Sequence, residues 1–321
     1  MPGEFSLIDA IARRAAARED VVLGIGDDAA ILAVPAGRQL VVAMDTLNAG
    51  VHFPEDTGAA DIGWKALAVN LSDLAAMGAR PAWCTLSLSL PDPDAGWVGG
   101  FLDGFLALAA LHGVALVGGD TTRGPLSVCV TAHGLVEPGR VLRRDAARVG
   151  DDVWVTGTPG DAAGALAQWQ VGGGRDAALR ARLDRPTPRV AAGLALAGLA
   201  RAAIDVSDGL LADLGHVCAA SGVGAKIELE ALPVSPMLAA AFDPATRRIL
   251  QCTGGDDYEL CFTLPRGLRD EVAAMAEAAG VEMARIGRVV PGDAVVALER
   301  DGRRWEPPRG GFDHFATRPS P

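Results

Sequence analysis

The stretch Asn70-Leu71-Ser72-Asp73-Leu74-Ala75-Ala76-Met77-Gly78-Ala79 sets one carboxylate inside an otherwise apolar helical run. Such an acid is costly to bury unless it is paired or metal-bound. Asn70, three residues earlier, shares its helical face. The run ends the segment Ala59–Met77, which reads as one helix capped by Thr57 and is followed by an apolar strand, Ala82–Leu90. Outward from there, Val21–Gly24, Leu40–Met44, Val114–Val117 and Ser127–Val136 read as strands, and Ala95–His112 as a second helix. Glu137-Pro138-Gly139 reads as a turn closing a first domain, residues 1–139.

A second domain, residues 140–321, repeats the alternation. Val153–Thr156, Ala225–Glu228, Glu259–Thr263 and Ala284–Val290 read as strands, and Asp161–Gln170, Leu210–Ala220 and Leu268–Ala279 as helices. Thr187-Pro188 opens a further helix, expected to run to about Ala203. Gly172-Gly173-Gly174 breaks the pattern, and Pro307-Pro308-Arg309-Gly310-Gly311 leads into a short tail. The expected class is α/β (α+β), in two domains.

Half of the 321 residues are apolar and 21% are charged, so a sizeable core can be buried. The net charge of −11 repels phosphodiester backbones and anionic lipid surfaces, which argues against nucleic acid and membrane as partners. Cysteines at 84, 129, 218, 252 and 261 form no C-x-x-C pair, so neither a disulfide framework nor a zinc site is expected. Met1 to Asp9 carries no signal pattern and Val190–Ala200 is too short to cross a bilayer, so a cytoplasmic location is expected. Only two of the 29 basic residues are lysines, Lys65 and Lys226, and neither sits in a P-loop or a protein-kinase strand motif. Any phosphate chemistry here therefore leans on metal ions held by acids.

Aspartates recur at element ends beside small residues: Gly26-Asp27-Asp28, Met44-Asp45-Thr46, Gly118-Gly119-Asp120-Thr121-Thr122 and Asp205-Val206-Ser207-Asp208-Gly209, with Asp73 inside its helix. Singly, each is also an ordinary turn or cap signal. Jointly, carboxylates without neighbouring histidine or cysteine suit a hard cation with oxygen ligands.

These segments, with Asp45-Thr46-Leu47, Gly50-Val51-His52-Phe53, Gly254-Gly255-Asp256-Asp257-Tyr258-Glu259-Leu260 and the tail Gly311-Phe312-Asp313-His314-Phe315, resemble the thiamine-monophosphate kinase family, in its motif order and over nearly the whole chain. The wider superfamily includes aminoimidazole ribonucleotide synthetase. The resemblance implies its two-domain fold, with an N-terminal sheet domain used for ATP and Mg²⁺ binding and for dimerisation. A C-terminal α/β domain then completes the nucleotide and substrate site. It further implies several Mg²⁺ ions, ATP as co-substrate, thiamine monophosphate as acceptor and a homodimer. By motif, Asp28, Asp45, Asp73, Asp120 and Asp205 match metal ligands, and Asp208 an outer one. Gly119, Asp120, Arg144, Ser207 and, by spacing, Asp103 match nucleotide contacts; His52, Asp256 and Phe312 match substrate contacts.

Two positions depart from the family pattern. Ala43-Met44 replaces hydroxyl residues before Asp45, so either a metal contact at Met44 comes from its backbone carbonyl or one ion site is lost. Asp256 stands where the family usually has glutamate, one methylene longer. The implied reaction is direct in-line transfer of the γ-phosphoryl group to an already ionised phosphate oxygen, which needs no catalytic base and makes positioning and electrostatics the main task. Two other readings stay open at this point: a synthetase of the same superfamily that acts through a phosphorylated intermediate, and a non-catalytic nucleotide-binding regulator.

Overall fold

The computed structural model describes residues 4–172, 176–308 and 310–312; Gly173, Gly174, Arg309, Asp313, His314 and Phe315 lie outside the described residues. The chain forms two units. The first contains α1 (Glu4–Arg14), β1 (Val21–Leu23), β2 (Ile31–Leu32), β3 (Gln39–Asn48), α2 (Ala59–Ala76), β4 (Arg80–Leu90), α3 (Ala95–His112), β5 (Ala115–Arg123) and β6 (Ser127–Val136). Strands β3 to β6 make a four-stranded sheet of order β3-β6-β4-β5, parallel only between β4 and β5. Val21 and Leu32 of the small β1–β2 sheet, and Ala30 just before β2, pack with Trp83, Ala115 and Val117.

Helix α2 is the pillar of this unit. Leu67, Leu71 and Leu74 are fully buried, as are Phe101 and Phe105 of α3. The two helices touch at their backbones: a Cβ on Gly63 would lie 2.0 Å from the Phe101 carbonyl oxygen, and one on Gly104 only 1.7 Å from that of Ala60. The N-cap of α2 is Gly58, which offers no side chain, so Thr57 is not the cap expected from the sequence. Helix α3, rather than Val190–Ala200, is the helix among the described residues with the length and apolarity of a membrane span. Its Val98, Phe101, Leu102, Phe105 and Leu108 are buried within the unit.

The second unit contains β7 (Asp152–Thr156), α4 (Asp161–Gln170) and most of α5 (Ala177–Asp184). Helix α6 (Val190–Leu196) belongs to the first unit together with all of residues 184–197. That assignment differs from the sequence reading, which kept these residues in the second domain. The physical cause is again a close approach, since a Cβ on Gly193 would lie 2.0 Å from the Ala75 carbonyl oxygen of α2. The second unit resumes with β8 (Ala202–Asp205), α7 (Leu210–Ser221), β9 (Gly224–Glu228), α8 (Pro236–Ala241), α9 (Pro244–Thr253), β10 (Leu260–Leu264), α10 (Val272–Ala279), β11 (Met283–Val290), β12 (Val295–Leu298) and β13 (Arg304–Trp305). Its seven-stranded sheet has the order β13-β12-β9-β11-β7-β10-β8. The helix expected to reach Ala203 stops at Leu196. Gly198 turns left-handed (φ +82°), and Ala202-Ala203-Ile204 enters the sheet as a fully buried strand.

Replacing Gly104 by alanine forces a methyl into the Ala60 backbone and should cost about 1–3 kcal/mol, read as a lower melting temperature. Gly99→Ala on the same helix meets nothing within 4 Å and should leave stability unchanged or raise it by up to about 1 kcal/mol.

Candidate functional site

In the first unit the site residues hang on α2 and the strands beside it. β3 is an edge strand, so the Asp45 amide has no strand partner on that side and donates instead to Asn70 Oδ1 of α2 (2.9 Å). Asn70 is fully buried, with its own amide tied to the Ala66 carbonyl (3.0 Å). One carboxamide thus couples Asp45 to the helical face that carries Asp73. Because the carbonyl and N–H of one trans peptide point in opposite directions, the Met44 carbonyl turns towards β6. The Met44 side chain is 63% exposed, on the face of β3 that also carries Leu40 and Val42. The Met44 side chain therefore stands on the outer face of β3, while its carbonyl lies in the β3–β6 ladder.

Gly118, Gly119 and Asp120 do not follow strand β5, as the sequence suggested, but lie within it, in register with Thr85, Leu86 and Ser87 of β4. Only glycine fits at 119, where φ is +150° and a Cβ would lie 1.8 Å from the Leu86 carbonyl oxygen. Asp120, next along, is exposed, as is Asp28 in the β1–β2 connection, whose amide donates to Asp27 Oδ1 (2.8 Å). His52 Nδ1 accepts the Asn48 amide (2.9 Å), which assigns the ring proton to Nε2, and the buried Lys65 ammonium donates to the His52 carbonyl (2.9 Å). Asp103, on α3, is exposed and paired with Arg14 of α1 at 2.6 Å.

In the second unit the structure brings four expected residues to one place. Asp205 ends β8, and the following turn, residues 206–209, leads into α7. One oxygen of Asp213 accepts the N–H groups of Ser207 (3.1 Å), Asp208 (3.1 Å) and Gly209 (3.0 Å). Burial, reinforced by the Asp205 and Asp208 carboxylates, pushes the Asp213 carboxyl up to about 7. Loop 254–259 then runs alongside this turn. Val206 N–H donates to the Glu259 carbonyl (2.7 Å), Tyr258 N–H to the Val206 carbonyl (2.9 Å) and Asp256 N–H to the Ser207 carbonyl (2.9 Å). Phe312 N–H closes the group on the Asp208 carbonyl (2.9 Å), with its ring largely exposed. Ser207, Asp208, Asp256 and Phe312 are thereby neighbours although they span more than 100 positions. Arg144 stands apart within this unit. Its neighbour Arg143 grips Asp145 through two nitrogens (2.8 and 2.5 Å), while Arg144 itself is exposed and without a carboxylate partner among the described residues.

The loop that carries Asp256 is strained and anchored. Among the described residues, Asp256 (φ +68°) and Tyr258 (φ +52°) are the non-glycine residues in the left-handed region, a conformation that costs of order 1–3 kcal/mol each. Between and after them, two acids point inward. Asp257 accepts the N–H groups of Gly160 (2.7 Å) and Ala162 (3.3 Å), at the start of α4. Glu259 accepts the Thr156 hydroxyl (2.7 Å) and pairs with Arg182 (2.6 Å). Burial raises the Asp257 carboxyl well above its usual range, against the lowering effect of the Gly160 amide and of Arg182. Neither Asp213 nor this anchor was picked from the sequence. An acid in the first turn of α7 was the available signal for Asp213.

Among the described residues no three His, Cys, Asp or Glu side chains form a ready cluster for a metal ion. Mg²⁺ does not require one, because it keeps several waters and takes one or two carboxylates plus substrate phosphates. The donor set fits such an ion: the groups are oxygen-only, and the mutual repulsion of Asp205, Asp208 and Asp213 calls for a positive counter-charge.

Residues 26–136 match the family model of the AIR synthase related protein N-terminal domain, and residues 148–298 that of its C-terminal domain. The chain is 47% identical to the thiamine-monophosphate kinase of Escherichia coli (strain K12), over 98% of this chain and 99% of that one. Among solved structures it is similar to the thiamine-monophosphate kinase of Stenotrophomonas maltophilia K279a (55% identity, TM-score 0.87, 94% and 97% of the two chains). It is also similar to AaThiL complexed with AMPPCP and TMP (32% identity, TM-score 0.76, 98% and 97%).

Asp213→Ala strips the acceptor from three successive amides and should cost about 2 kcal/mol in chemical unfolding. Hydrogen exchange at residues 207–209 should rise at least about tenfold; unchanged protection there would show that the turn holds without Asp213.

Proposed function

The chain belongs to the thiamine-monophosphate kinase family, and from that membership we propose that it transfers the γ-phosphoryl group of ATP to thiamine monophosphate, giving thiamine diphosphate. The observation that carries the reading is the grouping of Ser207, Asp208, Asp256 and Phe312 through backbone hydrogen bonds, in a chain whose relative AaThiL binds AMPPCP and TMP.

The roles follow from the chemistry of each group. Asp28, Asp45, Asp73, Asp120, Asp205 and Asp208 are assigned to several Mg²⁺ ions. When bound, those ions neutralise the triphosphate and align donor and acceptor. Arg144, exposed and unpaired by carboxylate, presents a planar fork suited to phosphate oxygens. Gly119, Asp120 and Ser207 are assigned to the nucleotide. His52 offers an Nε2–H donor to the acceptor phosphate, Asp256 a negative charge to the cationic thiamine half, and Phe312 an aromatic face to its rings. No side chain is needed as a general base, because the acceptor oxygen is ionised near neutral pH. The chain's contribution is to hold two anions in line.

A homodimer is part of this reading, and the first unit supplies a surface for it. Leu40 (46% exposed), Val42 (55%) and Met44 (63%) line one face of the edge strand β3. Such an exposed apolar row invites cover by another chain. We place the enzyme in the cytoplasm, where its nucleotide substrate is found.

Thiamine diphosphate should form only when ATP, thiamine monophosphate and Mg²⁺ are all present, and a chelator should abolish it until Mg²⁺ is restored. Asp73→Asn should lower kcat at least about 100-fold without loss of folded protein. ATP binding with no product under any of these conditions would sink the kinase reading. Val42→Glu should convert the dimer to monomer in light scattering; a wild type that is already monomeric would remove β3 as an interface.

A further inference from the structure

We propose that Tyr258 is a positioning residue for the thiamine half of the substrate, its hydroxyl holding the Asp256 carboxylate in place. The inference rests on the assignment of Asp256 to substrate binding made above. Tyr258 Oη donates to Asp256 Oδ1 at 3.1 Å, across a single intervening residue. Both residues are turned into the left-handed region, at φ +68° and +52°, and in that arrangement the phenol reaches the carboxylate two positions back. Backbone and side chains enforce that arrangement from both sides. The Asp256 and Tyr258 amides are spent on Ser207 and Val206 of the β8–α7 turn. The carboxylates of Asp257 and Glu259 are sunk beneath the loop, on the Gly160 amide and on Arg182 with Thr156. Strain that a structure maintains with this many bonds marks a position where geometry serves function.

The bond also answers the short side chain at 256. Aspartate reaches one methylene less far than glutamate, so the direction in which its carboxylate points matters more. A buried phenol (Tyr258 is 7% exposed) sets that direction without adding charge. The complement of such a carboxylate is the positively charged ring or exocyclic amine of thiamine, not a phosphate. Tyr258 therefore bears on the acceptor and not on ATP.

Tyr258→Phe removes the hydroxyl and keeps the ring. It should raise KM for thiamine monophosphate about 5–10-fold, with kcat and KM for ATP within about twofold of wild type. In an Asp256→Ala background the same change should add almost nothing. Tyr258 is the only tyrosine of the chain, so its ring-carbon resonance next to the hydroxyl is a single NMR signal. That signal should move on addition of thiamine monophosphate and stay still with a non-hydrolysable ATP analogue alone. If Tyr258→Phe is insoluble, the wild-type resonance decides. An unchanged KM in Tyr258→Phe, with Asp256→Ala impaired, overturns the positioning role alone; so does an equal penalty in both backgrounds. A wild-type KM in Asp256→Ala removes Asp256 from the substrate, and this inference with it.

Discussion

One oxygen of Asp213 takes three consecutive backbone N–H groups, and the site of the second unit is built on that contact. The turn follows Asp205 and carries Asp208, so two further carboxylates stand beside that acceptor. The buried acceptor closes the turn, at the cost of a carboxyl raised to about 7 by burial and by those two neighbours. Once the turn is shaped, its outward carbonyls become a template. Ser207 and Val206 receive the amides of the Asp256 loop, and Asp208 receives that of Phe312. A fixed turn therefore positions two segments from distant parts of the chain.

The first unit solves the same problem with a side-chain amide. Asn70 is buried, neutral and bifunctional, so it can tie the edge strand β3 to α2 without adding charge beside Asp45 and Asp73. Helix α2 can serve as the platform because glycines bring α3 and α6 to backbone contact with it. Little conformational freedom is left in a helix so enclosed, which suits a scaffold that holds Asn70 and Asp73 in place. The edge position of β3 has two consequences at once: its inner side reaches Asn70, and its outer apolar row is left for another chain.

Much of the fold was legible. Helix α3 and strand β6 have the limits that periodicity gives, and α2 and β4 differ by one or two residues. The errors have local causes. Ala202-Ala203-Ile204 reads as the end of a helix because alanine favours helices, but burial against β10 makes it a strand. Helices α8 and α9 carried start signals in Ser235-Pro236 and Asp243-Pro244, whose side chains do cap them, and these went unread. The strand before Asp120 reads as ending at Val117, because paired glycines look like a turn until a neighbouring carbonyl is seen against them.

By itself the sequence determined the alternating α/β character, the recurrence of aspartates at element ends and the family to which the motifs point. Those depend on residue type and local spacing, which survive in one dimension. Only the tertiary structure decided that residues 184–197 join the first unit, that the Met44 side chain lies exposed on β3, and that the Tyr258 hydroxyl bonds the Asp256 carboxylate. Each of these turns on the direction of a backbone group or on which backbones can touch. Directions of that kind are set by contacts between residues far apart in the chain, and no local pattern records them.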